Sequence, residues 1–269
     1  HPDDLDWVSG NVKEPIYRTG YDRNFWIWEK YDPEYQYLLT ADVARGDGGD
    51  NSVFHVIKLN TMEVIAEYQG KPSLDMYARI LFDAGVEYGN CLLVVENNGI
   101  GISVLEKLVG LGYSNLYYSI KSTHEYVEAI RGEAMDRAVA GFSTTTKTRP
   151  LVVAKLEEFI RNKILTTYST RVYHEFKTFV WHNGKPQAMR SYNDDLIMSL
   201  AIGCWIRDTA LQVNKRDAEY KKAMLDSMYM SKSIMNTAIK GQKGYNKKTS
   251  EKIQDFKKEM ESFSWIYKG

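Results

Sequence analysis

The segment YLLTADVARGDGGDNSVFHVI, residues 37–57, decides the fold. An apolar run ends in an aspartate, a turn rich in glycine and aspartate follows, and a second apolar run begins. Adjacent glycines tolerate positive φ and favour a tight turn, so the segment predicts two antiparallel strands, at 35–44 and 51–59. A third apolar run at 62–70 follows Asn60-Thr61 and completes a predicted three-strand meander.

Helices and strands alternate after this meander. Ser73 is placed to cap a helix that runs to about Tyr88, and CLLVVE at 91–96 has the continuous apolar character of a central strand buried on both faces. GIGISVLEKLVG predicts another helix, and NLYYSI at 115–120 predicts a fifth strand. The order β-β-β-α-β-α-β predicts an α/β fold whose mixed sheet joins an antiparallel meander to parallel crossovers.

The rest of the domain has weaker signals. Residues 119–148 are a long polar segment, which in a compact domain is usually functional or partly disordered. A helix is predicted at 150–163. Residues 171–190 are expected to form two strands around an Asn183-Gly184 turn, and Asn193 is expected to cap a strongly apolar helix.

Three regions follow from this pattern. Residues 1–34 are aromatic and irregular and are interpreted as a lead-in or linker segment that packs on the domain. Residues 35–210 are the predicted α/β domain. Residues 211–269 hold 13 Lys and Arg against 7 Asp and Glu, whereas the preceding residues hold the other 22 and 28. A basic, partly helical or flexible tail therefore follows an acidic body.

Composition excludes some functional classes. No apolar run approaches the roughly 18–20 residues of a membrane span, and HPDDLDW at the start is no signal peptide. With only two cysteines, Cys91 and Cys204, a thiolate metal site is excluded, and both residues are expected to be buried in a reducing compartment. An acidic body is the wrong sign for a plain nucleic-acid binder unless some of its acids hold cations.

Four acids lie at the ends of predicted elements. Asp42 closes the first strand of the meander, Glu96 closes the central strand, and Asp194 and Asp195 open the last apolar helix. If these ends meet, their carboxylates repel one another unless divalent cations lie between them, and hard oxygen ligands suit Mg²⁺ or Mn²⁺. Two such ions about 3.5–4 Å apart support phosphodiester hydrolysis. The sequence therefore predicts a metal site that includes Asp42.

Each acid also has a structural explanation. Asp42 is able to serve as a turn former, and Asp194 and Asp195 as favourable charges at a helix N-terminus. Glu96 is harder to explain this way, because glutamate is poor in strands and costly beside a buried apolar run. Asp50 is interpreted as a turn residue that is also within reach of a metal.

Four segments together resemble the nuclease domain of tailed-phage large terminases, the motor proteins of DNA packaging. They are LLTADVARGDGGDNSVFHVI, LLVVENNGIGISVLEKL, GFSTTTKTRPLVVAKLEEFI and SYNDDLIMSLAIG, and the resemblance covers roughly residues 35–208. The resemblance implies an RNase H-like fold and metal-dependent cleavage of concatemeric viral DNA. It assigns catalysis and metal binding to Asp42, Glu96 and one of Asp194 and Asp195. We favour Asp195 as the metal ligand, with Asp194 assisting or capping.

The resemblance also implies a biological setting. The cofactor would be Mg²⁺ or Mn²⁺, two ions when DNA is bound, and the substrate double-stranded DNA. The other expected partners are an upstream ATPase domain of the same protein, the portal ring and the small terminase subunit. The expected location is the host-cell cytoplasm, with transient residence at the procapsid. The sequence has no G-x-x-x-x-G-K-S/T motif and no initiator Met, so we expect the C-terminal half of a longer protein.

Several polar residues are candidates for DNA contact. Asn97 and Asn98 follow Glu96 directly and suit orientation of a phosphate or of Glu96; the alternative is a turn at a helix start. The loop STTTKTRP offers hydroxyls, cations and backbone N–H groups to a phosphate, or is simply solvated. The candidates in this loop and in the predicted hairpin are Thr145, Lys147, Thr148, Arg149 and Lys185.

Three other functions remain open on the sequence alone. Two are enzymes on the same fold, a Holliday-junction resolvase and an RNase H that acts on RNA–DNA hybrids. The third is a non-catalytic module that docks DNA or the portal ring, in which the acids only cap and turn.

Overall fold

A computed structural model describes residues 1–45, 49–120, 138–182 and 184–207. The predicted tail at 211–269, most of the long polar segment and Asp47 lie outside these residues. The described part is a mixed α/β structure, as predicted, in which a six-strand sheet is flanked by helices. None of its helices is long and apolar enough to cross a membrane.

The meander forms the centre of the sheet. Its strands are β3 (Tyr37–Asp42), β4 (Ser52–Lys58) and β5 (Glu63–Gly70), paired antiparallel. All three strands are almost wholly buried, because helices cover both faces of the sheet. The predicted boundaries are correct to within two residues.

The first 34 residues are more regular than the sequence indicated. They contain α1 (Pro2–Asn11), β1 (Tyr17–Thr19) and β2 (Phe25–Ile27). Strand β2 pairs with β5 and so extends the main sheet. The expectation of irregular structure here was wrong, because these strands are three residues each and are too short to show a period of two. The assignment of residues 1–34 as a lead-in or linker stays a prediction.

Strand β6 (Leu92–Val95) runs parallel to β3 and ends beside it. It is buried as predicted, but it is the last strand in the order of the six-strand sheet and not a central one. It is preceded by α2 (Leu74–Glu87), which Ser73 caps by accepting the Met76 N–H, and followed by α3 (Gly101–Gly110). On its other side β6 makes isolated parallel bridges, Leu93 with Leu116 and Glu96 with Phe142. Of the predicted fifth strand only β7 (Tyr118–Ile120) forms, paired with β8 (Ala138–Ala140).

Residues 148–207 form the layer on the other face of the sheet from α2 and α3. They form α4 (Thr148–Arg161), α5 (Thr170–Thr178), β9 (Phe179–His182), β10 (Lys185–Ala188) and α6 (195–207). The hairpin of β9 and β10 was predicted, but its first strand was predicted too long. Ser169 Oγ accepts hydrogen bonds from the N–H groups of Arg171 and Val172 and so caps α5. The sequence did not reveal this helix start, because the residues after Ser169 have high β propensity.

Two apolar cores lie on the two faces of the sheet. Leu39 and Ala41 of β3 belong to the core beneath α2 and α3. Leu38 belongs to the core beneath α4, α5 and α6. Since side chains alternate along a strand, Thr40 and Asp42 point towards the α6 face. The fold therefore places the last residue of β3 between the sheet and the start of α6.

Candidate active site

Asp42 and Glu96 are neighbours at the ends of two parallel strands. Ala41 pairs with Val95, and the Glu96 N–H donates to the Ala41 carbonyl at 2.9 Å, so the next residues on both strands face the same side. The two carboxyl groups are close enough to share a proton in a hydrogen bond. The structure thus brings together two acids that are 54 positions apart in the sequence.

Burial and repulsion act on Asp42 together. Removal from water raises the pKa of its carboxyl well above the usual range, and the nearby charges of Glu96 and Asp195 raise it further. The Val43 N–H donates to Asp42 Oδ1 at 2.7 Å and opposes this shift. The Asp42 residue as a whole keeps some surface exposed to solvent. Its carboxyl group is nevertheless densely surrounded by protein atoms, so its ionised form is unfavourable without a neighbouring cation.

Two neighbours fix Glu96. The Asn98 amide donates to Glu96 Oε1 at 2.9 Å and to the Thr144 carbonyl at 2.5 Å, so it braces the carboxylate against the 142–145 loop. Gly101 lets the chain turn tightly after the strand, because a Cβ there would lie 1.9 Å from the Glu96 carbonyl oxygen. Asn98 therefore makes the contact with Glu96 that one of its two predicted roles requires, and the role itself stays a prediction.

Asp195 is the third acid of the site, at the first turn of α6. It is 9% exposed, and its Oδ2 accepts the Asn51 N–H at 2.8 Å and the Asn193 amide at 3.2 Å. Burial is the largest influence on its carboxyl and raises the pKa to about 6, to which the charges of Asp50 and Asp194 contribute. These contacts hold Asp195 between the 49–51 turn and the start of α6.

Asp194 is bound by groups outside the acid cluster. Its Oδ2 accepts Arg149 Nη2 at 2.5 Å and the Ala188 N–H at 3.0 Å. Arg149 also donates to the Pro186 carbonyl at 3.1 Å. Asp194 and Arg149 therefore tie strand β10 to the starts of α4 and α6, which favours a structural role for both residues over metal or phosphate binding.

The donor set fits a divalent cation only in part. Among the residues that the structure describes, no group of three or more His, Cys, Asp and Glu side chains is assembled to hold a metal ion. The paired carboxylates of Asp42 and Glu96 offer the hard oxygen donors that Mg²⁺ and Mn²⁺ prefer. Asp195 is near enough for its charge to raise the pKa of Asp42, but its Oδ2 is held by Asn51 and Asn193.

The predicted DNA-contacting residues divide into two groups. Thr145 and Thr148 cap α4 reciprocally: Thr145 Oγ1 accepts the Thr148 N–H at 3.1 Å, and Thr148 Oγ1 accepts the Thr145 N–H at 2.7 Å. Asn97 is buried and its amide donates to the Ala140 carbonyl at 3.1 Å. These contacts favour structural roles. Lys147 and Lys185 are exposed, and their contact with DNA stays a prediction.

An open groove of about 390 Å³ lies beside Asp195. Its lining combines Asp50, Asp194 and Asp195 with residues 187–193, but includes neither Asp42 nor Glu96. Asp50 is exposed in the turn that faces this groove, and its charge acts on Asp195. The groove therefore reaches the third acid of the site from the side of the β9–β10 hairpin.

Sequence reasoning missed one residue that shapes the site. The hydroxyl of Tyr77, on α2, lies 2.6 Å from the Val53 carbonyl oxygen and 3.1 Å from that of Asp42. It is fully buried and joins the ends of β3 and β4. In the sequence Tyr77 is indistinguishable from an apolar residue of an amphipathic helix, so no sequence signal reveals this contact.

Stability of the metal-free protein should fall with rising pH. The folded state holds the proton of Asp195 up to about pH 6, whereas an unfolded Asp releases it near pH 4. The protonated Asp195 side chain therefore makes its full contribution to the free energy of unfolding below about pH 4. This contribution, on the order of 2–3 kcal/mol, is lost as the pH rises to about 6. Thermal melts from pH 4 to 8 check this, and Asp195→Asn should reduce the slope. Parallel curves for the two proteins would refute it.

Comparison with solved structures identifies the fold. The large terminase nuclease from thermophilic phage G20c with bound magnesium matches with a TM-score of 0.56 and 18% identity, over 75% of this chain and 94% of that chain. The same nuclease with bound cobalt matches with a TM-score of 0.55 and 19% identity, over 75% and 94%. The large terminase nuclease domain of Thermus phage P74-26 gives 0.54 and 17%, over 74% and 90%.

These similarities establish the predicted fold class. The chain has the mixed α/β fold of the large terminase nuclease domains, as the four sequence segments indicated. No family model matches the sequence. At identities below one fifth, the likeness shows the fold and leaves the chemistry to be argued from the residues of this chain.

Proposed function

We propose that this protein is a metal-dependent DNA endonuclease that cuts concatemeric viral DNA during genome packaging. The observation that carries the proposal is the Asp42–Glu96 pair, two carboxylates within proton-sharing distance at the ends of the adjacent parallel strands β3 and β6. Such a pair is unfavourable without a cation. The fold shared with terminase nucleases, one of them solved with magnesium and with cobalt, supports the same assignment.

In this proposal, four residues of this chain take part in binding the metal. Asp42 and Glu96 would hold a divalent ion, and Asn98, which donates to Glu96, would keep that carboxylate oriented. Asp195, at the start of α6, would complete the ligand set, because a cation offsets the repulsion among the three acids. Mg²⁺ or Mn²⁺ bound there, as two ions when DNA is present, would supply activated water and neutralise charge on the phosphate.

DNA recognition in this proposal is largely independent of base sequence. Lys147, at the start of α4, and Lys185, in the β9–β10 hairpin, are exposed cations suited to phosphate contact. The proposed partners are double-stranded DNA, an ATPase domain of the same protein, the portal ring and the small terminase subunit. The proposed setting is the host-cell cytoplasm and, transiently, the procapsid.

Nicking of supercoiled plasmid tests the function. We expect conversion to open-circular and linear DNA with Mn²⁺ or Mg²⁺, and none with EDTA. Absence of divalent-dependent cleavage would contradict the proposal and favour a docking module. A panel of linear duplex, four-way junction and RNA–DNA hybrid distinguishes related enzymes. Preferred cleavage of the junction would indicate a resolvase, and preferred cleavage of the hybrid would indicate an RNase H.

A further inference from the structure

A carboxyl group from another helix caps the start of α6. Glu175 of α5 is 8% exposed, and its Oε2 accepts the Ile197 N–H in the first turn of α6 at 3.1 Å. The residue that normally supplies this acceptor is the N-cap, here Asp194 and not Asn193 as predicted, because α6 begins at residue 195. Because Asp194 is bound to Arg149 and to the Ala188 N–H, Glu175 takes over the capping of the helix that carries Asp195.

A second buried contact joins α6 to the strand that carries Asp42. Ser199 Oγ donates to the Thr40 carbonyl at 2.8 Å and lies 3.0 Å from His55 Nδ1. Thr40, His55 and Ser199 are fully buried. Ser199 lies one helical turn after Asp195, and Thr40 lies two residues before Asp42 on the same face of β3. Polar contacts at two successive turns thus fix α6 against its surroundings.

Apolar packing alone would be a less costly way to place this helix. Glu175 lies in a site that disfavours charge, since burial raises its carboxyl pKa to about 9. Its second oxygen, Oε1, is buried and has no hydrogen-bond partner among the described residues. A leucine would fill similar space without this cost but would leave the Ile197 N–H without its acceptor. The specific property that glutamate adds is therefore the acceptor for that N–H.

We propose that Glu175 is a positioning residue for metal binding. By accepting the Ile197 N–H it fixes the first turn of α6, and this turn carries Asp195 to its place near Asp42 and Glu96. Ser199 fixes the next turn of the same helix. The proposal rests on the function proposed above and adds a residue that neither touches the metal nor contacts DNA. Outer groups that orient ligands typically change metal affinity by about 10–100-fold when they are removed.

Calorimetric titration with Mn²⁺ alone, without DNA, tests this role. We expect Glu175→Leu to weaken Mn²⁺ binding about tenfold or more. Glu175→Gln should bind within about threefold of the wild-type value, because its amide oxygen still accepts the Ile197 N–H. Val172→Ala is the matched control: Val172 lies one turn earlier on α5 and is fully buried. Its loss should lower the melting temperature and leave Mn²⁺ affinity unchanged.

Ser199→Ala is a second, independent variant, and it too should weaken Mn²⁺ binding several-fold. Wild-type affinity in both Glu175→Leu and Ser199→Ala would overturn the positioning role and leave the nuclease assignment intact. Equal weakening by Val172→Ala would also overturn it, because the effect would then follow from lost stability. If the wild-type protein binds no Mn²⁺ at all, the proposed function fails first and the positioning role with it.

Discussion

Asp42→Asn should reduce divalent-dependent nicking of plasmid by about 1,000-fold or more, which corresponds to about 4 kcal/mol of transition-state stabilisation. Asparagine keeps the size of the side chain but removes the negative charge that the cation requires. The fold should survive, because the backbone contacts at this position do not depend on the carboxylate. The Tyr77 hydroxyl donates to the Asp42 carbonyl, and the Glu96 N–H donates to the Ala41 carbonyl.

Stability separates this loss of activity from misfolding. In the absence of metal, Asp42→Asn should melt at or above the wild-type temperature at pH 8, because burial and the charge of Glu96 make the ionised carboxylate unfavourable. Asp83→Asn is the control: Asp83 lies on the surface of α2, paired with Arg79, and its replacement should leave nicking unchanged. Full activity in Asp42→Asn would show that catalysis takes place elsewhere.

Although Asp195 and Asp194 are adjacent, Asp195→Asn should mainly lower nicking activity and Asp194→Asn should mainly lower thermal stability. Asp195→Asn should lower nicking about 100-fold or more, because it removes the acid that faces Asp42. Asp194→Asn should retain activity within about tenfold. It should instead lower the melting temperature by a few degrees, because it breaks the partly buried ion pair with Arg149.

Measurement of nicking rates and thermal midpoints for both variants decides between the two acids. Arg149→Met provides the matched variant for Asp194, since it breaks the same ion pair from the other side. It should therefore resemble Asp194→Asn. If Asp194→Asn abolishes nicking while Asp195→Asn is active and unstable, the roles assigned here are reversed.

The sequence predicted the parts of the fold whose pattern is strong. The apolar runs of β3 to β6 and the Ser73 cap of α2 gave the centre of the sheet and its crossover. Strands β1 and β2 could not be predicted, because their three residues each are stabilised by pairing with β5 and with one another. The prediction of a strand at α5 was wrong for a related reason: a capping serine outweighed β propensity.

Site prediction depended on where strands end. Asp42 and Glu96 lie side by side because β3 and β6 are adjacent and parallel, which the order of elements indicated. The sequence could not separate Asp194 from Asp195, because the distinction depends on Arg149, which is 45 positions from Asp194. Glu175 and Tyr77 were likewise beyond sequence reasoning, since each acts through a backbone group of another element.

Anomalous scattering from a crystal soaked in Mn²⁺ tests the central claim most directly, because it locates the ion without reference to activity. We predict a peak between the carboxylates of Asp42 and Glu96, at a distance of about 2 Å from their oxygens. Asp195 should turn towards the same ion or a second one. A soaked crystal with no peak between Asp42 and Glu96, or with Mn²⁺ bound only elsewhere, would contradict the account.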